Sequence, residues 1–179
     1  MLLKGRTALV TGASRGIGAA TAKLLASHGA TVVVNYLHSR EMAPEVVATI
    51  RATGGAALAL RADVRVREQV RAMVAEVRDR LGPVDTLVLN AGIRFPTAPI
   101  LGYPWEAFEE KLTGELKAAF FCCQEVVLSM IERRHGCIVA VSSGLSRQSA
   151  PGMCAHSTAK SGLDALARSR QSWHRTVFA

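Results

Sequence analysis

"TGASRGIG", residues 11–18, follows the apolar run Thr7–Val10 and precedes a stretch with helical spacing. Gly12, Gly16 and Gly18 fall where a chain leaving a strand must turn sharply into a helix. Glycines at such a turn let the backbone approach a pyrophosphate, whose charge meets the free amides and positive end of the helix. The spacing is Gly-x-x-x-Gly-x-Gly, and taken alone it suits an ordinary tight strand-to-helix joint equally well.

Outward from this turn the chain alternates between two periodicities. Short β-branched or apolar runs occur at Thr7–Val10, Thr31–Val34, Ala56–Leu60, Thr86–Leu89 and Cys137–Val141. Between and after them lie stretches with helical spacing at Ile17–His28, Glu41–Thr53, Val66–Leu81, Trp105–Arg133 and Cys154 to about Arg168. Strand and helix in repeated alternation with short polar joints predict an α/β fold, a Rossmann-like doubly wound parallel sheet with helices on both faces. With 179 residues, 49% of them hydrophobic, the chain can bury one substantial core, and neither a repeat nor a low-complexity linker divides it.

Composition narrows the function classes. The net charge of +8 comes mostly from arginines spread along the chain, which suits an anionic small molecule. Basic helix faces interleaved with aromatics are absent, so no nucleic-acid partner is expected. Cys122, Cys123, Cys137 and Cys154 form no CxxC pair and have no histidine at ligand spacing, so no metal is expected and they read as reduced thiols of a cytoplasmic protein. The apolar run at the N-terminus is too short for a signal peptide, and no segment has the length of a membrane span.

Three further stretches make the pattern specific: "RADV" at 61–64, "NAG" at 90–92 and "IVAVSS" at 138–143. In this order and spacing the sequence resembles the short-chain dehydrogenase/reductase family, in particular its 3-oxoacyl-carrier-protein-reductase-like members, over roughly residues 4 to 169. The resemblance implies that Gly12, Ser14, Gly16, Ile17 and Gly18 hold the pyrophosphate of a nicotinamide dinucleotide. It places Asp63 and Val64 at the adenine, and Asn90, Ala91 and Gly92 beside the nicotinamide ribose. Taken singly, Asp63 also suits a strand-end cap and Asn90 a turn.

Cofactor choice is read at the end of the second strand, "VVVNYLHSR", where neutral Asn35 stands and no carboxylate occurs before Glu41. An acid there would repel a 2′-phosphate. Arg15, with Arg40 or Ser39, could meet one. NADP(H) is therefore expected in preference to NAD, unless both arginines are only solvated surface.

"HSTAK", residues 156–160, departs from the family's Tyr-x-x-x-Lys. Lys160 matches the lysine that binds the ribose and Ser143 the serine that orients the substrate oxygen, but His156 replaces the tyrosine. A nearby ammonium lowers an imidazole below about 6.5, which leaves a poor acid for carbonyl reduction and a conceivable base for alcohol oxidation. The other reading of His156 is a packed histidine without a role. A second departure is "GELKAAF", which puts Glu115 where the family carries asparagine; it either pairs with Lys160 or faces solvent from the helix surface. A third is the end, "SRQSWHRTVFA", expected to leave residues 1–169 as the dinucleotide-binding domain and 170–179 as a non-family tail, without the family's last strands. A frame change near Ser169 or Arg170 would account for such an end.

Two functions stay open on these residues. One is an oxidoreductase of the family that interconverts an alcohol and a ketone or aldehyde, impaired by the departures. The other is a non-catalytic nucleotide-binding or assembly protein. Either is expected to form a homo-oligomer through its two long last helices.

Overall fold

The computed structural model describes residues 1–148 and 150–173. Thr7–Val10 (β1), Thr31–Tyr36 (β2), Ala56–Arg61 (β3), Thr86–Leu89 (β4) and Cys137–Ala140 (β5) form one sheet in the order β3-β2-β1-β4-β5. Every pairing is parallel. The helices are Gly16–Ser27 (α1), Met42–Ala52 (α2), Arg67–Leu81 (α3), Trp105–Glu132 (α4) and Cys154–Trp173 (α5). Each strand and helix expected from periodicity is present. The boundaries move by one or two residues, except that α5 runs on through the first residues of the segment 170–179. Residues 174–179, with most of the expected tail, lie outside the described residues.

Strand residues alternate between two cores, as the period of two requires. Ala8, Val10, Val32, Val34 and Val88 pack against α1 and α2, and Leu9, Val33, Leu87 and Leu89 against α3, α4 and α5. The central strand β1 is buried along its whole length, which is why its sequence is apolar on both faces after Thr7. Small residues on α1, Ala19, Ala22 and Ala26, are buried against the sheet and let that helix approach it closely. Cys122 and Cys123 sit in the core under α4, where burial pushes both thiols up to about 12, so they act as neutral packing groups.

β5 is the outer strand. It ends the sheet opposite β3, and Cys137 and Val139 on one of its faces are exposed. At the N-terminal end of the sheet, buried Asp85 ties strands together. Its carboxylate accepts from the Thr7 N–H at 2.9 Å and from Arg133 Nη1 at 2.7 Å. Among the described residues no helix is long and apolar enough to cross a membrane.

The chain order reverses between β1 and β4, the strands on either side of which β2 and β5 were added. A crevice opens beyond the carboxyl ends of strands at such a switch point.

Candidate active site

The turn after β1 and the end of β4 are knit together by Thr11. Its Oγ1 accepts from the N–H of Asn90 at 2.9 Å and of Ala91 at 3.0 Å, and donates to the Val88 carbonyl at 3.2 Å. Asn90 Nδ2 donates to the carbonyls of Thr11 at 2.9 Å and Gly12 at 3.1 Å. Asn90 thus cross-links the glycine turn to the end of β4, and Thr11 is a partner that the sequence reading missed. Gly12 and Gly16 take φ of +61° and +56°, a left-handed backbone that side chains disfavour. Gly18 is required by space instead: a Cβ there would stand 2.4 Å from Asn90 Nδ2 and 2.8 Å from the Gly12 carbonyl oxygen.

Gly18→Ala is therefore expected to push Asn90 off the turn. The expected cost is about 1–3 kcal/mol of stability, visible as a lower urea midpoint with unchanged slope. A midpoint equal to the parent's would contradict the close approach.

α1 begins without a capping side chain, Arg15 at its start being extended, and without an acidic residue in its first turn. Its positive end is thus open to an anion. The adjoining cavity, about 730 Å³, is lined by Gly12, Ser14 and Arg15 from the turn, Leu37, His38 and Ser39 after β2, Asp63, Val64 and Arg65 after β3, and Ala91 to Arg94 after β4. Four separate βα joints therefore converge on one concavity. Ile17 is exposed at the start of the helix.

Two residues of the expected site are engaged by protein partners in the folded chain. Asn35 belongs to the cavity lining but is itself buried. Its Oδ1 accepts from the Gly12 N–H at 3.2 Å and its Nδ2 donates to the Leu60 and Ala62 carbonyls at 3.4 and 3.1 Å. Beyond it Leu37, His38 and Ser39 line the same cavity. His38 is the residue missed there. Arg15 and Ser39 line the cavity as expected.

Asp63 lines the cavity too, but its carboxylate is gripped by Arg65, with Nε at 3.0 Å from Oδ1 and Nη2 at 2.8 Å from Oδ2. Those hydrogen bonds hold its carboxyl below the usual range.

The second cluster lies between α4 and α5. Glu115 is buried, not on the helix surface, and it does pair with Lys160: Oε1 is 2.6 Å from Lys160 Nζ. Its other oxygen accepts from Lys111 Nζ at 2.5 Å. Burial by itself raises the Glu115 carboxyl, but the hydrogen bonds and charges of Lys111 and Lys160 outweigh it and hold the pKa below the ordinary value. Lys160 also donates to the Val141 carbonyl at 2.8 Å, two residues before Ser143. Ser143 itself accepts from the Leu145 N–H at 3.2 Å and starts the short turn Gly144–Ser146, on which α5 packs. Glu115 shares a small cavity with Thr11 and Ala91, which joins this cluster to the glycine turn.

His156 stacks on Phe95, ring centroids 5.0 Å apart and planes 14° off parallel, and its Nδ1 is buried with no hydrogen-bond partner among the described residues. Burial is the main force that lowers its pKa, with Lys111 and then Lys160 adding to it and Glu115 opposing. The direction is the one expected from the sequence, although an ammonium was the expected cause and desolvation leads. Lys111 escaped notice in the sequence. Its signal was a lysine four residues before Glu115 on a helix face otherwise continued by Ala118, Ala119 and Cys122.

The family profile described as short chain dehydrogenase matches residues 6–176. A 3-oxoacyl-(acyl-carrier-protein) reductase of Staphylococcus aureus (strain Mu50 / ATCC 700699) is 37% identical over 164 residues, 92% of this chain and 66% of that protein. An L-rhamnose 1-dehydrogenase (NAD(P)(+)) of Sphingomonas sp. (strain SKA58) is 43% identical over 143 residues, 79% of this chain and 56% of that one. The crystal structure of NAD+-bound xylitol dehydrogenase matches with a TM-score of 0.91 at 32% identity, covering 95% of this chain and 65% of the other. The chain spans somewhat under two thirds of the length of these relatives.

Proposed function

Because the chain belongs to the short-chain dehydrogenase family, we propose that it is an NADP(H)-binding oxidoreductase that interconverts an alcohol with a ketone or aldehyde, better suited to oxidation than to reduction. The observation that carries this reading is the meeting of an open, uncapped helix start with a cavity walled by four βα joints, beside a buried lysine and an imidazole of lowered pKa. The residues fit a dinucleotide. Gly12 to Gly18 offer the backbone and helix end to a pyrophosphate, Asp63 and Val64 border the adenine side, and Asn90 to Gly92 border the nicotinamide ribose. Bound there, the nicotinamide supplies the hydride acceptor or donor.

The chain's own residues do the rest. An ammonium has three donors. Lys160 donates one hydrogen bond to the Val141 carbonyl and forms an ion pair with Glu115, and its remaining donor capacity is assigned to a ribose hydroxyl. Ser143, at the carboxyl end of β5, is placed to orient the substrate oxygen. His156, its pKa held below the ordinary imidazole value, can accept the proton of an alcohol, while its neutral ring is a very weak acid toward a carbonyl. Substrate alcohol or carbonyl is the small-molecule partner in this reading. Self-association is assigned to the outer faces of α4 and α5, where Phe120 and Leu128 are about half exposed around a groove of about 290 Å³.

Preference for NADPH over NADH rests on Arg15, with His38 and Ser39 across the same cavity. Titration of cofactor fluorescence checks it, and equal affinities would sink the choice. Arg15→Ala is expected to reduce the preference by about 1.5–3 kcal/mol, the size of a charge-assisted hydrogen bond.

A second reading, a nucleotide-binding protein without chemistry, is favoured by one observation, the stack of His156 on Phe95. NADP+ consumption with simple alcohols supports the oxidoreductase; cofactor affinity with no turnover supports the binder.

A further inference from the structure

The buried charges between α4 and α5 form a closed chain. Lys111 Nζ donates to the Ile93 carbonyl at 3.1 Å, pairs with Glu115 and lies 5.1 Å from the centre of the Phe95 ring. Two acceptors and an aromatic ring thereby surround its ammonium inside the protein. Lys111 has no solvent to face and no reach to a ligand, being 1% exposed. A lysine so placed is costly to bury unless a carboxylate offsets it, and Glu115 would be as costly without it. Two ammonium groups and one carboxylate leave one net positive charge, the charge that a single lysine would give.

We propose that Lys111 is a positioning residue: it offsets Glu115, so that Lys160 keeps an undiminished positive charge and a fixed place at the site, and Phe95, packed between Lys111 and His156, holds the imidazole within reach of that balance. The proposal rests on the oxidoreductase reading for its purpose, since Lys160 is the group that the balance serves. The geometry itself does not depend on that reading. Without Lys111, Glu115 and Lys160 would cancel, and the site would lose its net charge. Without Glu115, two ammonium groups would stand within one buried cluster and repel.

His156 is the reporter. Among the described residues the charged groups that act on it are Lys111 and Glu115 from α4 and Lys160 from its own helix, and from the loop after β4 the Phe95 ring stacks on it. Removal of a positive charge favours imidazolium and removal of a negative one disfavours it. The experiment is an NMR titration of the histidine rings in the full 179-residue chain, which has five histidines, with His156 assigned through His156→Gln. Lys111→Met should move the His156 titration to higher pH and Glu115→Gln to lower pH. The double variant Lys111→Met/Glu115→Gln, which restores one net charge, should return it toward the parent.

A role in packing alone would leave the midpoint unmoved by both single changes, and that result overturns the proposal, as does a double variant displaced as far as either single one. Should Lys111→Met not accumulate folded, Glu115→Gln and the double variant decide by the same comparison. NADPH titration of the parent runs alongside. Absence of cofactor binding there would overturn the oxidoreductase reading and leave the outcome of the charge cycle intact.

Discussion

His156→Tyr is expected to raise carbonyl reduction by about 10²–10⁴-fold, the usual worth of one positioned acid–base group. The direction follows from the shift in the parent. Burial, Lys111 and Lys160 hold the imidazole below its ordinary value, so its neutral ring is a poor acid for a developing alkoxide. The same ammonium groups lower a phenol that starts near about 10 while burial opposes them, so a tyrosine here keeps its proton at pH 7 and can give it to the substrate oxygen. The chain spans about two thirds of its relatives, so the pair is compared both as the chain itself and as a fusion carrying the remaining third of the Staphylococcus reductase. In the parent, alcohol oxidation should follow a group that titrates below the ordinary imidazole range, with activity lost as pH falls through it. A parent that reduces carbonyls as fast as the tyrosine variant would show that His156 is a sufficient acid, against this reading.

Asp85→Ala is the change expected to cost most in stability, about 2–4 kcal/mol, because it strands the Thr7 N–H and removes the carboxylate partner of Arg133, which keeps only its bonds to the Val84 carbonyl and Ser129. Total stabilities of domains are about 5–15 kcal/mol, so this is a large share. The pH dependence has a definite sign. Burial raises the Asp85 carboxyl, but the Thr7 amide, Arg133 and Arg6 together outweigh it, and the folded pKa lies below the unfolded value of about 3.9. Asp85 therefore stabilises the fold fully above that unfolded value, and the contribution is lost as pH falls through the folded pKa. Urea unfolding of the two proteins should give midpoints well apart at pH 7 that converge in acid. A gap unchanged between neutral and acid pH would contradict the assignment.

What can be read along the chain is what depends on neighbours in sequence. The short apolar or β-branched runs of β1 to β4 and the period of about 3.6 in α1 to α5 are local, and so is the turn chemistry of Gly12 and Gly16; from these the element order, the parallel sheet and the crevice follow. Lys160 was legible by its spacing from Ser143, and Glu115 by its departure from the resemblance. The burial of Asn35, the Arg65 fork on Asp63 and the Phe95 stack on His156 were not. Each needs partners supplied from another element or from backbone geometry: Asn35 meets Gly12, Leu60 and Ala62, and His156 meets Phe95 and Lys111. The sequence by itself determined that a lysine, a histidine and a glutamate stand in these registers. Only the tertiary structure, by drying the space between α4 and α5, decided that they form one charge-balanced unit with Lys111, since in water the same groups would be hydrated and nearly independent.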